Sequence, residues 1–212
     1  MDVGKLSLAT VAFVVQHWRA LVYVSVIPAL LNMVLNNAAA EEITPNQLVL
    51  ILFGGLVVGA VIEVATYRIV LLNQSSRFPV SLTHREILFV LRLFILGFLF
   101  IPAILFLASP IISLILFGVA LWVIARLSLI FPAISIDRRM SYRESWYATE
   151  PYQVLIFFAA VLLPMLLTLL IYGLRVLPYP LVVVSIASVL LSVVRATAIS
   201  VVYRHIFSAN HD

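Results

Sequence analysis

The sequence predicts an all-α, polytopic membrane protein with six transmembrane helices, arranged as three hairpins. Three observations carry this reading. Six apolar runs of 19 to 26 residues recur along the 212-residue chain, and about 20 apolar residues in a helix cross a bilayer core of roughly 30 Å. Hydrophobic residues make up 64% of the chain and charged residues 10%, with a mean hydropathy of +1.19, against about half and a quarter in soluble domains. The Lys and Arg residues gather at alternate connections between the runs, as the positive-inside bias of membrane proteins requires.

Taken in order, residues 1–19 read as an interfacial lead-in helix whose apolar residues alternate with Gln16, His17, Trp18 and Arg19 and which runs straight into the first span. That span covers 20–39 and contains Pro28; Asn36, Asn37, Glu41 and Glu42 then form an acidic connection. Thr44, Pro45 and Gln47 supply a cap, a first-turn proline and a capping-box amide for the second span, 48–72. A polar turn with Arg77 and Pro79 follows. Thr83 and Glu86 form a second capping box before the third span, 87–108, which contains Pro102. Ser109-Pro110 permits only a tight reversal into the fourth span, 111–136. Ser141 and Glu144 form a third capping box, opening a short cytoplasmic amphipathic helix at 141–150 that carries Trp146 and Tyr147 and closes at Pro151. The fifth span is 154–172, residues 173–180 turn the chain, and the sixth span is 181–203. The whole of 1–212 is one integral membrane domain.

With the N-terminus in the cytoplasm, twelve of the thirteen Lys and Arg residues fall on or toward the cytoplasmic side and Arg175 alone lies outside. Both ends of the chain are therefore expected in the cytoplasm. The net charge of +4 does not imply nucleic acid, because the basic residues are dispersed through apolar runs and short turns and form no basic patch. Anionic lipid headgroups suit them better.

Four ionisable residues lie inside the spans: Glu63, Arg92, Arg126 and Arg195. Such groups are costly in hydrocarbon and mark candidate sites. Glu63 and Arg126 stand 15 residues beyond the external starts of their spans and Arg195 stands 14, about 21 to 22 Å deep at 1.5 Å per residue. Arg92 enters from the other side, about 8 Å deep by the same rise. All four can share one layer in the cytoplasmic leaflet, suited to a lipid phosphate or a partner's carboxylate because guanidinium forks bind both bidentately. The alternative is that each arginine reaches up to nearby headgroups and Glu63 pairs with one of them or with Arg68, one turn on. Asp137, Arg138, Arg139, Arg143 and Trp146 form the expected cytoplasmic interface.

Similar prolines sit in the outgoing helices at Pro28, Pro102 and Pro164. An offset of 136 residues superposes Pro28 on Pro164 and Tyr67-Arg68 on Tyr203-Arg204. Mitochondrial carriers also build three two-helix repeats with such prolines, but place an acidic residue two positions after each; Leu30, Ile104 and Leu166 stand there instead. Gly55 and Gly59 have the spacing of a close-packing helix face.

Zinc-protease, serine-hydrolase and phosphate-binding-loop signatures are absent, as are paired acidic residues in adjacent spans. The four histidines lie near the ends of elements, His84 and Glu86 belong to a capping box, and there is no cysteine. No enzyme activity, metal or cofactor is expected.

Around the fourth span the residues Arg126, Pro132-Ala133, Asp137, Ser145-Trp146 and Thr149 form a pattern that resembles the bacterial six-helix membrane proteins called YciC-like, together with the membrane domain attached to some glycerophosphoryl diester phosphodiesterases. Trp18-Arg19, the Pro28-Ala29-Leu30-Leu31 segment and Tyr203 fit the same pattern. The match is specific over about 25 residues. Arg138 and Arg143-Glu144 depart from it, standing where the family has a glycine and a small residue. The resemblance implies a membrane-embedded protein linked to lipids or the envelope; the phosphodiesterase activity belongs to a separate domain, so no catalytic residue carries over. The expectation is a non-enzymatic membrane protein, an accessory subunit in one version, that binds anionic lipid, a membrane protein partner or a second copy of itself. The alternative is a small transporter or channel whose buried charges line a pathway.

Overall fold

The computed structural model describes residues 1–38, 45–73, 83–173 and 180–208. Among them every regular element is helical: α1 (Val3–Gln16), α2 (Trp18–Ala38), α3 (Pro45–Leu72), α4 (His84–Gly97), α5 (Ile101–Leu105), α6 (Pro110–Leu127), α7 (Ile130–Ser135), α8 (Tyr142–Ala148), α9 (Gln153–Phe157), α10 (Leu163–Gly173) and α11 (Pro180–Ser208). Six stretches are long and apolar enough to cross a membrane: Trp18–Leu35, Ile51–Leu72, His84–Leu105, Pro110–Ser135, Glu150–Gly173 and Val182–Phe207. The expected acidic connection at Glu41 and Glu42, the Thr44 cap, the turn with Arg77 and Pro79, and Arg175 lie outside the described residues.

Proline governs the shape of the spans, because it lacks an N–H and its ring crowds the carbonyl four residues back. α2 carries Pro28 without a break. Pro102 is preceded by a 3₁₀ turn, Phe98–Phe100, and Pro164 by a π segment, Phe158–Leu162, in which the Leu163 N–H reaches back to the Phe158 carbonyl. Pro132 has the largest effect. The fourth span opens at Ser128 and Leu129, ending α6 and starting α7, so it is not the continuous helix expected over 111–136.

α3 and α11 form the axis of the bundle and run parallel, since Glu63 meets Arg195 and, farther along both helices, Val70 meets Arg204. α2 packs on both, α10 packs on α11, and α4 and α7 pack on α3. Buried hydroxyls are satisfied locally: Thr10, Ser25, Thr66, Ser135, Thr197 and Ser200 each donate to the carbonyl four residues back. This lets polar residues enter apolar packing without stranding a donor. The outer surface is apolar to a degree no aqueous exterior tolerates, with Leu105, Ile111 and Val154 each at least 75% exposed.

α1 differs from its expected form. It spans Val3–Gln16 and stops at His17 (φ −108°, ψ 17°), so the lead-in does not run straight into the first span, and Trp18 and Arg19 belong to α2. At its start the Met1 amino group lies 3.3 Å from His205 Nε2, near the end of α11; at its finish His17 Nε2 lies 3.3 Å from Asn73 Oδ1, just beyond α3. The ends of α3 and α11 are side by side, so α1 lies across that end of the bundle. Leu6 and Thr10 face inward, and Leu8, Val11 and Val15 face out.

Two capping boxes form as read. Glu86 accepts from the Thr83 N–H at 2.8 Å, and Glu144 accepts from the Ser141 N–H at 2.6 Å while its own N–H donates to Ser141 Oγ. The amphipathic helix is shorter than 141–150: α8 ends at Ala148 and Glu150–Tyr152 is a 3₁₀ turn. The glycine reading needs correction as well. A Cβ at Gly55 or Gly59 would meet nothing within 4 Å among the described residues, whereas one at Gly54 would lie 3.2 Å from Leu35. The close approach of α2 to α3 therefore rests on Gly54.

Candidate functional site

The four charges placed at one depth divide between two locations. On α3 and α11, Arg195 Nη2 donates to Glu63 Oε1, and this is an ion pair within the spans. Arg68 does not serve Glu63 in this pairing; its Nη1 donates to the Ser135 carbonyl at 3.0 Å. Arg204 likewise donates to the Val70 carbonyl. Each arginine thus sits against carbonyls at the C-terminal end of a neighbouring helix, where the helix dipole favours a cation. These are the two arginines superposed by the 136-residue offset.

Arg126 and Arg92 instead hold α8. Arg126 is 3% exposed. Its Nε donates to Thr149 Oγ1 at 2.8 Å and its Nη2 to the Trp146 carbonyl at 2.5 Å. The guanidinium lies 4.5 Å from the Trp146 ring centre and 5.5 Å from that of Trp122, and the two indoles meet edge to face at 5.2 Å. The Arg126 carbonyl accepts in return from Ser145 Oγ and Thr149 Oγ1. Arg92, from α4, lies 4.6 Å from the Tyr142 ring centre. Tyr142 and Trp146 are four apart and share one face of α8, so two arginines from two spans grip the same face.

The turn before α8 has its own logic. Asp137 takes a left-handed conformation (φ 60°). The Asp137 N–H bonds the Ile134 carbonyl at 3.1 Å and the Arg138 N–H bonds the Ala133 carbonyl at 2.9 Å, the paired bonds of a Schellman stop. Arg85 grips the Asp137 carboxylate with Nε at 2.5 Å and Nη2 at 2.6 Å. That hydrogen bonding, with the positive charge behind it, holds the Asp137 carboxyl below its ordinary range.

Turn and helix together leave a hollow of about 430 Å³ lined by Arg138, Arg139, Ser141, Arg143, Glu144 and Phe207 among others. Arg138 lies 4.3 Å from the Phe207 ring centre and donates to the Tyr203 hydroxyl at 3.4 Å. Arg143 rests on Tyr147, 5.6 Å away, and Arg139 has no partner among the described residues. The single carboxylate present, Glu144, is committed to the Ser141 cap, and hydrogen bonds from Ser141 hold its carboxyl below the ordinary value. Three arginines thus line one opening together with one carboxylate that is already engaged.

Comparison with known protein families, curated proteins and solved structures found no match. The function therefore has to be argued from this geometry.

Of the expected interface residues, Arg138, Arg139 and Arg143 converge on the hollow, Asp137 braces its turn through Arg85, and Trp146 packs inward on Arg126. Tyr147, 57% exposed, is the outward aromatic of α8. Sequence reasoning missed Tyr142, Ser145 and Thr149 as docking residues. Their signal was present in two four-residue spacings, Tyr142 to Trp146 and Ser145 to Thr149. Tyr67, read from the sequence only as part of the 136-residue offset, is fully buried one turn beyond Glu63, and its hydroxyl has no hydrogen-bond partner among the described residues.

Proposed function

We propose that this chain is a non-enzymatic, multi-pass protein of a bacterial inner membrane, built as three hairpins with both ends in the cytoplasm, that binds anionic phospholipid headgroups in the hollow beside α8. One observation carries the reading: Arg138, Arg139 and Arg143 line a single hollow whose carboxylate is already engaged. Guanidinium groups match phosphate bidentately, and the hollow adjoins the ends of spanning helices, at the depth where headgroups lie. Arg126 and Arg195 have internal partners and serve as the framework. The resemblance to envelope-linked six-helix proteins agrees with a lipid role, and the non-enzymatic reading rests on the missing catalytic signatures.

A transporter reading draws on a different observation. Beside the buried Glu63–Arg195 pair, Arg195 Nε and the Tyr67 hydroxyl have no hydrogen-bond partner among the described residues, so water or a small solute would satisfy them.

Native mass spectrometry after gentle extraction tests the headgroup reading. Anionic phospholipid held in the hollow is expected to remain on the wild-type chain and on Lys5→Ala, and its occupancy of this site to fall about tenfold or more when Arg138, Arg139 and Arg143 are all replaced by alanine, the scale of losing several charge-assisted contacts. Equal retention by the triple variant contradicts it. So does a stoichiometric protein, in place of lipid, that is lost with these arginines.

A further inference from the structure

A second cavity shares no lining residue with the hollow beside α8. Between α2 and α11 runs a groove of about 490 Å³ whose walls are almost wholly apolar, including Leu21, Val26, Ala29, Met33, Ile186 and Val189. Ser25, also in the wall, donates its hydroxyl to the Leu21 carbonyl at 2.6 Å and so offers the groove no free donor. Both walls are membrane-spanning stretches, which places the groove against hydrocarbon. From Trp18 to Met33 it follows α2 for sixteen residues, about 22 Å at the helical rise. That exceeds the roughly 15 Å depth of one leaflet.

Its end nearest α1 is chemically different. Trp18 lines the groove there and is 55% exposed. The Arg19 guanidinium lies 5.6 Å from the Trp18 ring centre. Arg19 is exposed and makes no ion pair or hydrogen bond among the described residues. α1 lies across this end of the bundle, so Arg19 stands where the spans end. An apolar channel with a free cation and an indole at its mouth matches an amphiphile carrying a negative head.

We infer that the α2–α11 groove holds one acyl chain of an anionic glycerophospholipid, with Trp18 and Arg19 receiving its headgroup. Lipid tails are as apolar as the groove walls, so tail burial alone gives little net gain in a membrane. The groove supplies fit and Arg19 supplies selection for charge. This site is independent of the hollow beside α8; either can fail without the other.

The test uses full-length protein in bilayer discs of phosphatidylglycerol and phosphatidylcholine, with retained lipid counted by native mass spectrometry and Trp18 contact read by quenching with brominated chains, the Trp18→Phe variant giving the background. Arg19→Gln is expected to cut phosphatidylglycerol retention at this site about tenfold, the scale of one charge-assisted contact, while leaving lipid bound to the Arg138–Arg139–Arg143 hollow. Ala29→Phe, which fills the groove, is expected to remove the lipid whatever its head and to lower Trp18 quenching. Unchanged lipid counts and quenching in both variants overturn the proposal. So does a wild-type dimer that carries no lipid here and dissociates on Ala29→Phe, since the occupant is then a second copy.

Discussion

Replacing Arg126 by alanine is expected to release α8 and to cost about 3–5 kcal/mol, the largest single loss in the molecule. The residue is buried and makes two charge-assisted hydrogen bonds, to Thr149 and the Trp146 carbonyl, and two ring contacts. Hydrogen bonds from a charged donor contribute about 1.5–3 kcal/mol each and cation–π contacts about 0.5–2. Lysine will not restore the arrangement, because one ammonium cannot aim two fixed donors and lie flat between two indoles. Thermal unfolding in detergent, followed by tryptophan fluorescence, measures this, and the signal should also show Trp146 becoming wetter. A change in stability no larger than that of Lys5→Ala would show that Arg126 does not hold α8.

Arg195→Ala is expected to be nearly as damaging, for a different reason. It leaves the Glu63 carboxylate, 3% exposed, without its ion partner inside the spans. Breaking a buried pair by removing one member typically costs about 3–5 kcal/mol, whereas replacing both members with apolar residues of similar size is often neutral. The double replacement Glu63→Met with Arg195→Met should therefore recover most of the loss. Glu63→Gln should be milder than Arg195→Ala, because the Arg195 side chain is 34% exposed and its long stem can redirect the charge. A double-mutant cycle on unfolding free energies reads the coupling directly; additive single effects would mean that the pair contributes no coupling of its own.

Most of the architecture was legible because a membrane imposes simple lengths. Six apolar runs gave six spans, and the capping boxes at Thr83 and Ser141 were readable because their hydrogen bonds close within four residues. The break at Ser128 and Leu129 was readable in principle from Pro132, whose missing N–H frees the carbonyl four residues earlier. The stop at His17 was not, since no proline or glycine marks it; it follows from α1 packing across helix ends distant in sequence. The charge layer shows a different limit. Counting residues along a span gives depth but not which way a side chain turns. Glu63, Arg126 and Arg195 were matched by depth, yet Arg126 faces α8 while Glu63 and Arg195 face each other, 132 residues apart in sequence. Arg138, Arg139 and Arg143 were found because three arginines within six residues stand out in a chain with so little charge.

The central claim is that the hollow beside α8 lies on the cytoplasmic face of the membrane, against anionic lipid, and the sidedness of α8 tests it most directly. The chain has no cysteine, so single cysteines can be introduced at Tyr147 on α8 and at Ser109, in the turn between α5 and α6 at the other end of the bundle. Ser109 makes no side-chain cap bond that the change would remove. In intact cells a membrane-impermeant maleimide should label Ser109→Cys from outside, and should reach Tyr147→Cys only after permeabilisation. Labelling of Tyr147→Cys from outside, with Ser109→Cys protected, would place the hollow on the wrong face and contradict the account.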